Sequence, residues 1–514
     1  MTTSYITVTD LEAWLVDGAE LALLDMREPG QIGEGHILFS APAPYSRFEV
    51  MLGTLAPNLA VRMVLYDEGD GVAERAARRA HALGYAHVNV LTGGAAAWAA
   101  HGRTLFKGVN VPSKAFGELV ELACHTPHIS AEELQARAGE FVLIDGRPAA
   151  EYHRMTIPGA QNCPNGELAL RIGSIAGDPE MPIVVNCAGR TRSIIGAQTL
   201  RDLGVPNPVY ALENGTQGWT LSGFALERGA VPALAAPEAA LGGRQTRAVA
   251  WATLCGAAGI DAGTLATWRM DAARTTYLLD VRTETEALND PIPGAVHAPG
   301  GQLIQATDQW VGVRCARIVV VDGGDIRAPV VASWLARLGH QAYWLTGGSA
   351  AMAGEVEENP AIGPALPELP RVSAPEVDGG NWTVLDLRTS DAYRTEHIPG
   401  AQWATRARLE HVLGDGPHLL VADDPELAAL VAVDLAEAGV TDVSVLAGGM
   451  DAWRDAGLTA EDSPAVPRDE DRIDYLFFVH DRHDGNLEAS RAYLAWETGL
   501  VDQLDPRERA VFRV

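Results

Sequence analysis

One cysteine in this chain stands where a side chain can act as a nucleophile. In "IVVNCAGRTRSIIGAQTL" (183–200) an apolar run leads into Cys187, a short loop follows with Arg190 and Arg192, and a helix-like stretch comes next. A strand ending at Asn186 and a helix starting near Ser193 would set Cys187 at the mouth of a helix N-terminus. There the backbone N–H groups of Ala188, Gly189, Arg190, Thr191, Arg192 and Ser193 can curl into an anion-binding nest around the sulfur. The helix dipole and the two guanidinium groups favour thiolate over thiol, lowering the pKa from about 8.5. Such a thiolate attacks anionic electrophiles and can hold a negatively charged covalent adduct.

The spacing selects among chemistries. A cysteine phosphatase needs Cys-x5-Arg, with the arginine gripping phosphate on two oxygens. Here the sixth residue after Cys187 is Ser193, and Arg192 comes one position early. Phosphoryl transfer, or arsenate reduction in a similar cradle, is therefore disfavoured. The shorter loop suits a smaller guest, such as one added sulfur atom.

The elements that position this loop recur four times. "ALLDMRE", "VLIDGRP", "LLDVRT" and "VLDLRT" each end an apolar run in Asp-x-Arg: Asp25 and Arg27, Asp145 and Arg147, Asp280 and Arg282, Asp386 and Arg388. Three copies continue into a Pro-Gly-Ala turn, and the first has "GHILFSAP" there. About 40 residues after each aspartate comes a second apolar run, then an Ala-rich helical stretch, a short strand and an ending such as "LTGGAAAW" or "LENGTQGW". This is one unit of roughly 100–120 residues written four times. Short apolar runs alternating with amphipathic helices predict an α/β fold with a mostly parallel sheet, ligands sitting where strand turns into helix. The second apolar run ends at Asp67, Cys187, Asp322 and Asp423 in the four copies, so only the second offers a thiol.

Composition agrees with several such domains. The chain has 514 residues, 47% hydrophobic and 21% charged, too long for one core. Its net charge of −28 works against nucleic acid and anionic membranes and demands a local positive pocket for any anionic substrate. Five cysteines without a CxxC pair do not make a disulfide framework. No apolar run is long enough to span a bilayer and the start carries no leader pattern, so a cytoplasmic protein is expected. Pro/Ala/Gly-rich stretches at 227–245 and 354–371 read as tethers, whereas the join between copies one and two has an amphipathic piece that docks. The acidic, aromatic tail predicts a strand-like piece, a turn at Asp484–Gly485 and a helix from about Leu487.

Taken together, the Asp-x-Arg strand ends, the Ile-Pro-Gly-Ala turns, Cys-x4-Arg-Ser and the Gly-Gly-x3-Trp endings resemble the rhodanese (sulfurtransferase) family. The resemblance covers nearly the whole chain as four tandem rhodanese-like domains, each a mostly parallel central sheet flanked by helices: 1–108, 125–230, 245–355 and 370–460, with 461–514 as a tail. It implies ping-pong transfer of a sulfane sulfur. Cys187 attacks the outer sulfur of thiosulfate, releases sulfite and becomes a persulfide; a thiol or cyanide then takes the sulfur. Ala188 to Ser193 would bind the donor, Arg190 and Arg192 supplying charge, while Asp145 and Arg147 support the loop. No cofactor or metal is implied. With aspartate at the cysteine position and no paired arginines, domains one, three and four read as inactive. Thr156 stands where the family's turn usually has histidine, which the fourth copy keeps as His397.

Other residues read more plainly. Cys124, Cys163, Cys255 and Cys315 lie outside comparable loops and are expected to be inert thiols. The "HDRHD" cluster (His480, Asp481, His483, Asp484) reads as a solvated surface, and Trp98, Trp219 and Trp453 as core. A persulfide carrier that delivers sulfur to a protein partner stays the alternative to an enzyme of small-molecule turnover. 3-Mercaptopyruvate or another persulfide stays the alternative donor.

Overall fold

Strands of four or five apolar residues cannot stand alone, and each repeat buries its own in a parallel sheet covered by helices. The structure is a computed structural model that describes residues 3–238, 241, 243–324, 326–352, 362–412, 414, 416–480 and 486–514. The second repeat contributes strands His128–Ile129, Val142–Asp145, Gln161–Asn162, Ile183–Asn186 and Val209–Leu212. Across the sheet they run 128–129, 209–212, 183–186, 142–145, 161–162, every pair parallel. The other three repeats follow the same order.

The central strand Ile183–Asn186 is buried along its whole length. Cys187 follows at its carboxyl end, and the next helix, Thr191–Asp202, starts two residues before the expected Ser193. That helix packs against Val111–Cys124, the amphipathic join between the first two domains.

The register corrects one expectation. Asp25, Asp145, Asp280 and Asp386 pair with Tyr66, Asn186, Val321 and Val421. One residue further lie Asp67, Cys187, Asp322 and Ala422. The fourth counterpart of Cys187 is thus Ala422, not Asp423, which is exposed one position later. The loop is shorter there: its helix begins at Pro425, and Ala422 prolongs the apolar run that marked the position in sequence.

The domains are not beads on tethers. Strand Val313–Arg314 of the third domain pairs antiparallel with Leu21–Asp25 of the first, adding a sixth strand to that sheet. One apolar core runs through domains one to three, where Phe116, Trp251 and Trp334 meet edge to face. Arg327 of the third domain pairs with Glu167 of the second at 2.9 Å. The fourth domain joins the first through the buried Arg406, whose guanidinium reaches Glu49 at 2.6 and 2.7 Å and Asp434 at 3.0 Å. The Pro-rich joins also pack down: Glu238 accepts from the Gly173 N–H at 2.5 Å, and the Ile362 carbonyl lies against Gly53.

In the tail, Phe477–His480 forms a helical turn instead of the expected strand-like piece. The turn at Asp484–Gly485 and the side chains of the "HDRHD" cluster lie outside the described residues. Helix Leu487–Thr498 starts where its pattern predicts, capped by Asn486, whose Oδ1 accepts from the Glu488 and Ala489 N–H groups at 3.1 Å. Among the described residues no helix is long and apolar enough to cross a membrane.

Candidate active site

Cys187 is 2% exposed and lies at the wall of a cavity of about 240 Å³. Ala188, Gly189, Arg190, Thr191 and Arg192 line the cavity with it. Ser193 does not: it sits behind the sulfur, its Oγ 3.3 Å from Cys187 Sγ and donating to the Arg190 carbonyl at 2.9 Å. The Ala188 carbonyl is turned away, accepting from the Gln217 backbone and side chain, each at 3.1 Å.

The amide nest is most visible in the copies that lack the cysteine. In the first, Asp67 accepts from the Gly69 and Ala73 N–H groups at 2.7 and 2.9 Å. In the third, Asp322 accepts from Gly324, Ile326, Arg327 and Ala328 at 2.7 to 3.2 Å. Their own carboxylates occupy the place an anionic adduct would take, so these loops are filled from within.

Both loop arginines are already paired. Arg192 grips Glu151 with two bonds, at 2.7 and 2.8 Å. Burial works against its charge, but Glu151 outweighs that and holds its pKa above the ordinary value. Arg190 donates to Glu118 at 2.7 and 3.0 Å and to Glu121. Burial pushes the Glu118 carboxyl up to about 7, against the pull of Arg190. The expectation that these two guanidinium groups stand ready for a sulfonate is therefore modified, because each arrives with a carboxylate.

Charge toward the cavity also comes from residues that the loop motif did not reveal. Arg147 holds Asp145 through Nε at 2.9 Å and Nη2 at 2.7 Å, and donates to the Met155 carbonyl at 2.6 Å. Thr156 takes the place of the family's histidine and donates to Asp145 at 2.8 Å. Asp145 stays behind this clamp, away from the cavity. All four domains repeat the Asp-x-Arg clamp, and they differ at Nη1. In the first domain that nitrogen bonds Glu68, and in the third it bonds Asp290 at 3.3 Å. In the second and fourth domains, Nη1 of Arg147 and of Arg388 has no bond among the described residues, and Arg147 lines the cavity. Lys114 and the exposed Arg154 line it too, so five cationic side chains meet two carboxylates, Glu151 and Glu497.

The wall is completed by other parts of the chain. Gln302 and Gln305 come from the third domain, and Tyr493 and Glu497 from the tail helix. Lys114 holds that helix in place, its ammonium 5.1 Å from the Tyr493 ring and 4.7 Å from the Trp496 ring. Gly189 lies close beneath it: a Cβ there would lie 2.9 Å from Glu497 Oε2 and 3.5 Å from Tyr493. Gly117 likewise lets the linker helix touch the loop, since its Cβ would meet Thr191 at 2.9 Å.

Cys163, Cys255 and Cys124 have no such setting. Cys163 is buried, and burial pushes its pKa up. Burial also raises Cys255. Cys124 accepts from Arg337 at 3.6 Å, in the interface between the linker helix and the third domain. Among the described residues no group of three His, Cys, Asp or Glu side chains is placed to hold a metal ion.

Four parallel α/β domains with a strand-end cysteine loop in one of them define the class. A rhodanese-like domain model matches residues 7–101, 130–222, 264–355 and 374–456, and the chain belongs to the rhodanese family. A crystal structure of thiosulfate sulfurtransferase from Pseudomonas aeruginosa superposes with a TM-score of 0.89 at 40% identity, covering 99% of each chain. The thiosulfate sulfurtransferase of Azotobacter vinelandii is 30% identical over 243 residues, 39% of this chain and 88% of that protein. The HTH-type transcriptional regulator Rv0324 of Mycobacterium tuberculosis is 39% identical over 103 residues, 20% of this chain. The match spans 44% of the regulator's length.

Proposed function

We propose that the chain is a sulfurtransferase that takes the outer sulfur of thiosulfate onto Cys187 and passes it to a thiol or to cyanide. The observation that supports this reading is that Cys187, alone among the four equivalent positions, puts a thiol beside a cation-lined cavity, in a loop whose counterparts in the first and third domains turn backbone N–H groups onto an aspartate. Attack of the Cys187 thiolate on the outer sulfur forms a new S–S bond. The bond to the sulfonate sulfur breaks, and its electron pair leaves with sulfite. The charge of minus three on thiolate plus thiosulfate is kept as a persulfide anion plus sulfite dianion. An acceptor then attacks the outer sulfur of the persulfide, and the thiolate is restored.

Roles follow from placement. On this reading the loop amides from Ala188 to Arg192 take up the transferred sulfur, as the equivalent loops of the first and third domains take up Asp67 and Asp322. Arg147 Nη1 and Arg154 offer unspent charge to the sulfonate, while Arg190 and Arg192, paired with Glu118, Glu121 and Glu151, keep the loop in shape. Asp145 fixes Arg147. Domains one, three and four are inactive scaffolds on this reading, and the third shapes the entrance through Gln302 and Gln305.

The burial of Cys187 within a walled cavity favours small-molecule turnover over direct hand-off to a protein partner. The test is incubation with thiosulfate, intact mass, then cyanide and thiocyanate detection. Repeated thiocyanate release supports the enzyme. Loading without turnover would make the chain a carrier, and no loading from thiosulfate would exclude it as the donor.

A further inference from the structure

The geometry points to a zwitterionic thiol, of amino-acid size with an ammonium and a carboxylate, as the sulfur acceptor, and to Glu497 as the residue that selects it. This assignment rests on the sulfurtransferase reading and deepens it.

Glu497 lies 310 residues beyond Cys187 in the chain, yet the tail helix brings it to the same cavity. It is 2% exposed. Its Oε1 accepts from Thr191 Oγ1 at 2.8 Å. Its Oε2 is shielded from solvent and has no hydrogen-bond partner among the described residues. Arg190, the loop arginine whose charge is influenced by Glu497, is committed to Glu118 and Glu121. A buried carboxylate oxygen left without a donor is costly, and a ligand that brings one relieves the cost. Thiosulfate and cyanide carry no N–H group, so neither meets this demand. An ammonium does, with a charge-assisted bond.

The same cavity offers the complement. Arg147 Nη1 and the exposed Arg154 have no ion-pair partner of their own among the described residues beyond the Asp145 clamp, and both suit a carboxylate. About 240 Å³ exceeds the ~150 Å³ that admits benzene in an engineered cavity, enough for a thiol of amino-acid size beside the sulfur. In the step proposed, the acceptor thiolate attacks the outer sulfur of the Cys187 persulfide. The bond from that sulfur to Cys187 Sγ breaks, and its electron pair stays on Sγ as the thiolate. The transferred sulfur leaves on the acceptor with one proton, which the persulfide anion takes up from water before the attack.

The experiment loads the full-length protein with thiosulfate, removes the donor, and follows loss of one sulfur from Cys187 by intact mass. Cysteine, cysteamine and 3-mercaptopropionate are compared at matched thiolate concentration. Wild type is expected to discharge to cysteine at least about tenfold faster than to 3-mercaptopropionate, with cysteamine between them. Glu497→Gln keeps an acceptor for Thr191 but removes the charge, and the cysteine-to-mercaptopropionate ratio should fall toward one. Arg154→Ala should bring cysteine down toward cysteamine. Equal rates for all three thiols in wild type would overturn the assignment while leaving the sulfurtransferase reading intact, as would an unchanged ratio in Glu497→Gln. Failure of Cys187 to load from any sulfane-sulfur donor would overturn both.

Discussion

At the scale of single residues, the cationic groups of the cavity divide into those already paired and those open to a ligand. Arg192 is held by Glu151, so Arg192→Ala both removes a cation and leaves a carboxylate unpaired near the sulfur. Arg154→Ala removes an exposed cation alone. Steady-state kinetics with thiosulfate should show KM raised several-fold in Arg154→Ala with little change in kcat, and kcat/KM lowered at least about tenfold in Arg192→Ala. Equal, small effects in the two variants would contradict the division. Cys187 and the four Asp-x-Arg pairs were legible in the sequence because each is a local pattern. The pairing of Arg190 with Glu118 and Glu121 was not, because those carboxylates come from a helix some 70 residues earlier. The free Nη1 of Arg147 was hidden for a different reason. Comparison with Glu68 and Asp290, which fill that place in the first and third domains but have no counterpart in the second and fourth, reveals the vacancy.

At the scale of elements, the tail helix and the linker helix are parts of the site. Gly189 marks how closely they approach. In Gly189→Ala the new methyl would press on Glu497 and Tyr493, at a cost of about 1–3 kcal/mol. The expected readout is faster hydrogen exchange across 487–498 and faster alkylation of Cys187 by iodoacetamide. Unchanged exchange and alkylation would mean that the helix is not seated on the loop as described. The stretch "NLEASRAYLAWET" made the helix itself legible from about Leu487, while its Asn486 cap came from the structure. Its destination was not, since nothing local says which surface an amphipathic helix covers. The same limit explains Ala422. Reading the end of an apolar run placed Asp423 there, whereas strand register, set by hydrogen bonds to a neighbouring strand, moved the position by one.

At the scale of the whole molecule, four domains make one body. Repetition in the sequence revealed their number and class but not their joins: the crossing strand Val313–Arg314, the Arg327–Glu167 pair and the Arg406 cluster link residues far apart in the chain. His36 of the first domain is 5% exposed, and burial pushes its pKa down to about 4. The unfolded chain binds a proton at His36 below about 6.5, while the folded one does so only below about 4. Folding stability from this group is therefore present above pH 6.5 and is lost as pH falls from about 6.5 to about 4, by about 3 kcal/mol. Denaturant melts across that range should show the slope in wild type and a flatter profile in His36→Gln. Parallel profiles would contradict a neutral, buried His36.

The most direct measurement is the intact mass of wild type and Cys187→Ser after incubation with thiosulfate, followed by cyanide. Wild type should gain one sulfur, lose it to cyanide and release thiocyanate over many cycles. Cys187→Ser, nearly isosteric and folded by circular dichroism, should do neither. Turnover that persists in Cys187→Ser, or a wild-type protein that never takes up sulfur, would contradict the account at its centre.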